Sequence, residues 1–185
     1  VAITIVATSG SATANSYVTE TEAIARAATR LNLPSTWVSV SGSTCTETEK
    51  AALIEAQREL TTLPWIAGRT TSTQALAWPR AYAEDPDAPS LLGTVLATDF
   101  WFADTELPQR VKDAQIELAF EFLRSGTTDL AAADPNAGVI EKTVDVLTTR
   151  WQPYQRPTGL ARFPRIQALL APLLTGSGSL EIARS

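Results

Sequence analysis

The stretch PQRVKDAQIELAFEFLRSG, residues 108–126, decides how the chain folds. Pro108 suits a first helical turn, where its missing N–H costs nothing, and Gly126 stands where helices end. Between them Val111, Ala114, Leu118 and Phe122 recur on one face, while Ile116, Phe120 and Leu123 form a second. A helix that is apolar on more than one side is packed between other elements. It is the expected central helix.

Upstream, TETEKAALIEAQRELTTL (residues 46–63) opens with Thr46 and Glu49 at capping-box spacing, sets Leu53, Ala56, Leu60 and Leu63 on one stripe, and stops at Pro64. Thr19 and Glu22 repeat the capping signal for a helix running to about Leu31, before Pro34. The alternation of Val1, Ile3 and Ile5 with Ala2 and Thr4 predicts a short strand. Downstream, Asp134–Gly138 is a turn signal. VIEKTVDVLTTRW (139–151) is β-prone, with Ile140, Val144 and Val146 on one face, and reads as a strand or hairpin. WQPYQRPTGLARFP (151–164) is too rich in proline and glycine for a regular element and reads as a linker. PRIQALLAPLL (164–174) is a last helix that Pro172 must strain or shorten, and TGSGSLEIARS (175–185) is a flexible hinge with a short β-capable tail. The expected fold is mainly α: a small helical bundle with a short β strand or hairpin and extended N- and C-terminal arms. Residues 1–174 form a single helical domain with a loop insertion at 81–104, and 175–185 form the C-terminal arm.

The bulk numbers allow one compact core in 185 residues, with 44% hydrophobic and 19% charged residues. The net charge of −5 argues against indiscriminate nucleic-acid binding. The sign is uneven, however. Residues 146–185 carry Arg150, Arg156, Arg162, Arg165 and Arg184 against Glu181 alone, a basic tail that either contacts phosphate or an acidic protein surface or is simply solvated. No apolar run approaches the roughly 20 residues of a membrane span, and VAITIVATSG lacks the features of a signal peptide, so a cytosolic product is expected.

Chemistry is scarce. With no histidine, the serine and cysteine triads that depend on it cannot be built and the usual zinc ligand sets are missing. Cys45 is the single cysteine and reads as inert. The pairs Glu55 with Glu59 and Glu117 with Glu121 lie near lysines and arginines, as solvated faces do, so no catalytic residue, metal site or cofactor is expected. "SGSAT" and "TGSGS" lack the lysine and strand-to-helix setting of a phosphate loop.

The segment TQALAWPRAY (73–82) allows two readings, of which the first, a structural anchor of Trp78, Pro79 and Arg80, is the one expected. In one, Trp78 is an apolar plug, Pro79 redirects the chain and Arg80 fixes its exit with hydrogen bonds or an ion pair. In the other, Trp65, Arg69, Trp78 and Arg80 interleave aromatic groups with cations as a single-stranded-DNA stacking platform does. Phe100, Trp101 and Phe102 form an apolar cluster that serves either subunit or partner contact or packing against its own core.

The order of ANSYVTETEA (14–23), EKAALIEAQREL (49–60), QALAWPRA (74–81), ELPQRVKDAQIELAFEFL (106–123), VIEKTVDV (139–146) and FPRIQALLAPLL (163–174) resembles the head–tail adaptor, or connector, proteins of tailed bacteriophages. Some of these are labelled DnaT-like single-stranded-DNA-binding proteins. The resemblance spans nearly the whole chain and is most specific in the QxLxWPR stretch and the KxAxxELA helix. It implies a structural virion protein of the neck, made in the host cytoplasm. Such a subunit forms a homo-oligomeric ring, a 12-mer, between the portal protein and a tail stopper, terminator or tail protein. Double-stranded DNA passes through its channel without sequence-specific contact. By the same resemblance Leu180, Glu181, Ile182, Ala183 and Arg184 form a portal-docking arm. Such a segment could add a strand to an exposed sheet edge. The alternative function is sequence-independent single-stranded-DNA binding.

Overall fold

A computed structural model describes residues 2–88, 100–126, 141–144, 147–150 and 159–175, the hairpin strands by their backbone. The order is α1 (Glu20–Ala28), α2 (Glu47–Thr61), β1 (Gly68–Arg69), β2 (Arg80–Ala81), α3 (Gln109–Ser125), β3 (Glu141–Val144), β4 (Leu147–Arg150) and α4 (Pro164–Leu170). The fold is mainly α.

Helix α3 lies at the centre, with α2 and α4 packed on it. Val111, Ala114, Ile116, Leu118, Ala119, Phe120 and Phe122 are all buried, which accounts for apolar residues on both of its sides. Gly126 ends it at φ 68°, a left-handed conformation that any Cβ would strain, and its N–H reaches the Phe122 carbonyl at 2.9 Å. Both N-terminal capping boxes form. The Thr19 hydroxyl accepts from the Glu22 amide and the Glu22 carboxylate accepts from the Thr19 amide, and Thr46 with Glu49 does the same.

One buried polar side chain fastens three segments to each other. Gln115, in the middle of α3, accepts from the Tyr17 amide at 2.8 Å and donates to the Ser16 hydroxyl at 2.9 Å and the Leu53 carbonyl at 2.8 Å. Replacing it with leucine would fill similar space but strand the Tyr17 N–H in the core. Gln115→Leu is therefore expected to lower stability by about 1–3 kcal/mol, read as a lower urea midpoint with unchanged slope.

Three expectations need correction. No strand forms at Ala2–Ile5, because this segment pairs with side chains and not with a neighbouring strand: the Val6 amide donates to Asn15 Oδ1 at 2.8 Å, and Asn15 Nδ2 donates to the Thr4 carbonyl at 2.8 Å. Helix α1 stops at Ala28 and not near Leu31, with Thr29 as its C-cap, its hydroxyl bonded to the Arg26 carbonyl at 2.9 Å. The end of the supposed linker, Gly159–Arg162, is a 3₁₀ turn. The last helix is shortened, as Pro172 requires: after Leu170 it tightens into a second 3₁₀ turn, Ala171–Leu173.

The β-prone segment is a hairpin: β3 and β4 pair antiparallel from Glu141↔Arg150 to Val144↔Leu147. Residues 173–175 are tied back beside the end of α2. Ile66 donates to the Leu173 carbonyl at 3.0 Å, Thr175 donates to the Pro64 carbonyl at 2.7 Å, and Trp65 bridges Leu174. The turn at Asp134–Gly138, Ile140, Val146 and the arm residues Leu180, Glu181, Ile182, Ala183 and Arg184 lie outside the described residues.

Candidate functional site

Residues 74–80 are bound into the interior of the protein. Trp78, 1% exposed, meets Trp65 and Phe102 edge-to-face at centroid distances of 5.9 and 5.8 Å. Its peptide bond to Pro79 is cis. Arg80 donates from its guanidinium to the carbonyls of Ile66 at 2.6 Å, Ala77 at 3.0 Å and Ala67. Burial pushes its pKa down, with Arg69 nearby adding to the effect. Gln74 donates to the Leu76 and Pro79 carbonyls, each at 2.9 Å, and the buried Tyr17 hydroxyl accepts from the Ala77 amide at 3.1 Å.

A stacking platform needs rings that a base can reach. Trp65 is only 6% exposed, and its N–H is spent on the Leu60 carbonyl at 2.8 Å. Of the four residues Trp65, Arg69, Trp78 and Arg80, only Arg69 is exposed. These aromatic residues and cations act on the chain itself.

The cluster Phe100, Trp101 and Phe102 divides. Phe102 is half-buried against Trp78, whereas Trp101 is 41% exposed and faces Tyr82, 78% exposed, edge-to-face at 6.5 Å. Tyr82 has φ 59° and Ala67 φ 58°, left-handed values that are uncommon outside glycine. Together with Ile66, Glu84, Asp85, Pro86 and Pro172 these residues line an open cleft of about 350 Å³. Antiparallel bridging of Glu84 with Trp101 and the Asp85 N–H on the Phe100 carbonyl at 2.8 Å hold its rim together.

Along α3, from its middle toward its C-terminal end, lies an arginine cluster around a buried carboxylate. Glu117 is bridged by Arg26 at 3.4 Å, by Arg165 at 3.3 Å and by Arg30. Arg30 also reaches Glu121 at 3.7 Å and lies 5.0 Å over the Phe120 ring. Arg124 pairs with Glu121 and donates to the Asn32 carbonyl at 3.0 Å. Between two of these cations, in the turn after α1, Leu31 is 99% exposed. The glutamates at 117 and 121 are thus ion-pair partners, and among the described residues no group of His, Cys, Asp or Glu is arranged to hold a metal ion. Cys45 is buried, and burial together with Glu49 and Glu20 pushes its thiol to about 12, which leaves it unreactive near neutral pH.

Sequence reasoning passed over Gln115 and Leu31, and gave Glu49 a capping role alone. Gln115 carried a readable signal, a polar residue among apolar neighbours on a packed face. Leu31 carried none, because its exposure follows from where α1 stops. Among the described residues no helix is long and apolar enough to cross a membrane.

No curated protein and no solved structure matches the chain. The model of a family described as "Putative DnaT-like ssDNA binding protein" matches residues 1–185. That name carries single-stranded-DNA binding, the second of the two functional readings, and no mention of a virion. Over residues 1–185, the chain belongs to this DnaT-like family.

Proposed function

We propose that this chain is a structural virion protein, a head–tail adaptor whose copies form a ring, a 12-mer, between portal and tail, with a channel for the genome. One observation carries the reading: of the four residues that would grip DNA, three are committed to the protein itself, with Trp78 and Trp65 buried and Arg80 bound to three main-chain carbonyls. What the surface offers is a cleft near the start of α3 and an arginine cluster along its second half, features suited to neighbouring proteins. The order of sequence motifs supports the same reading. Its partners are then the portal protein, reached by residues 180–184, and a tail stopper, terminator or tail protein, with double-stranded DNA passing and its place in the neck of the particle. No catalytic group or cofactor is required.

The test is to mix the purified chain with its cognate portal and measure mass, and to locate the chain on particles by labelled electron microscopy. A ring on the portal and label in the neck are expected. Particles without the chain in the neck would overturn the assignment.

The family name favours a second reading, sequence-independent single-stranded-DNA binding. On this fold the site would be the arginine cluster of Arg26, Arg124 and Arg165 and not the tryptophans. Affinity for oligo-dT would then fall steeply with salt, and Arg165→Ala would weaken it while Tyr82→Ala would not. Under the adaptor reading, retention of oligo-dT at physiological salt is expected to be negligible.

A further inference from the structure

The two ends of α3 are chemically opposite. Asp87 clasps Arg110 at its N-terminal end at 2.7 Å, and Arg124 holds the Asn32 carbonyl at its C-terminal end. Fourteen residues at 1.5 Å each separate these arginines by about 21 Å. Around the first end, the described residues 81–88 and 100–107 carry Glu84, Asp85, Asp87, Asp104 and Glu106 and no lysine or arginine. Glu84 and Asp85 line the Tyr82–Trp101 cleft and have no cation partner among the described residues. At the second end Arg124 holds the Asn32 carbonyl, and Leu31, the residue before Asn32, is 99% exposed, while Arg26, Arg30 and Arg165 gather on Glu117 at the middle of the helix. One end therefore offers an aromatic slot rimmed by carboxylates, and the other an apolar knob beside the Arg124 guanidinium group.

We infer that these ends meet between copies: Leu31 of one copy enters the Tyr82–Trp101 cleft of the next, with the half-exposed Arg124 placed toward Glu84 and Asp85. The inference rests on the assembly reading above and names its contact surfaces. Because the two patches are different and lie at opposite ends, the contact is head-to-tail, and repetition gives a ring where the rotation closes. Apolar insertion supplies the hold and opposite charge the orientation. A phosphate chain suits the arginine end less well, since Asp113, Glu117 and Glu121 already stand among its guanidinium groups and, among the described residues, no exposed ring lies beside it on which a base could stack.

The test is sedimentation velocity on the full chain at ~20 and ~500 mM salt, on either side of effective charge screening. Leu31→Glu and Glu84→Lys change exposed side chains, and circular dichroism should give unaltered melts. The wild type is expected to self-associate at low salt and to weaken at high salt. Each variant alone should lose association at least tenfold. An equimolar mixture should recover it, because the carboxylate introduced in the first variant meets the ammonium introduced in the second, while the reverse contact remains wild type. A wild type that stays monomeric at low salt, variants that associate as the wild type does, or a mixture no better than its components would each overturn the inference. So would salt-sensitive retention of oligo-dT, unchanged by Leu31→Glu, in a chain that does not self-associate, which would assign the arginines to phosphate. None of these outcomes bears on whether the chain is found in the neck of particles, so the pairing and the adaptor assignment can fall separately.

Discussion

Trp78→Ala is expected to remove about 3–5 kcal/mol of stability, the range typical of deleting a buried large aromatic. A domain of this size has roughly 5–15 kcal/mol in total, so the variant should melt far below the wild type or be recovered unfolded. The effect is large because the indole touches Trp65 at the end of α2 and Phe102 before α3, and thereby links segments distant in sequence. Trp78→Phe separates the causes. It keeps an aromatic ring and removes an N–H that finds no acceptor among the described residues, so a smaller loss of about 1–2 kcal/mol is expected. Calorimetry or urea titration of both variants decides the matter; equal, small losses would mean that the indole does not organise the core. Were the residue a base-stacking surface, Trp78→Ala would instead fold normally and lose DNA affinity.

Glu49 gives the second large effect and a dependence on pH. Its carboxylate is fully buried and accepts from the Val38 amide at 2.7 Å, the Ser39 amide at 2.9 Å, the Ser39 hydroxyl at 2.5 Å and the Thr46 amide at 2.7 Å. Burial pushes its pKa up, but the hydrogen bonds from Ser39, Thr46 and Val38 outweigh burial and hold the carboxyl below its ordinary value of 4.5. The folded pKa is therefore depressed. Its contribution is fully present above pH 4.5 and is lost as pH falls through the lower folded value, because the unfolded chain binds the proton first. In Glu49→Gln an amide N–H₂ must face amide donors. The expected cost at pH 7 is about 2–4 kcal/mol, the scale of a charge-assisted buried network. The difference between wild type and variant should shrink as the pH falls below 4.5. A gap that stays constant there would mean that Glu49 acts through shape alone.

Local signals were legible where one residue type has one physical use. The pairs Thr19 with Glu22 and Thr46 with Glu49, the proline and glycine around α3, and its two apolar faces all correspond to elements in the structure. Features set by long-range partners were not. Nothing near Ile3 or Ile5 indicates that Asn15 would satisfy the backbone there in place of a strand. Likewise Phe102 and Trp101 are neighbours in sequence yet one faces the core and the other the solvent, a division fixed by the short bridge to Glu84. The same limit applies to the surface. The acidic stretch before α3 can be read off the sequence, but the gathering of Arg26, Arg30, Arg124 and Arg165 along the same helix requires the fold.

The tie between residues 173–175 and 64–66 determines how the body would respond to tension. Traction on the chain beyond Thr175 meets the Thr175–Pro64 and Leu173–Ile66 hydrogen bonds before any turn of α4 is strained. Pulling force would thus pass to the root of α2 beside Trp65, in the most densely aromatic part of the body, and a tug on the tail would be borne by the whole helical bundle and not by its last and shortest helix.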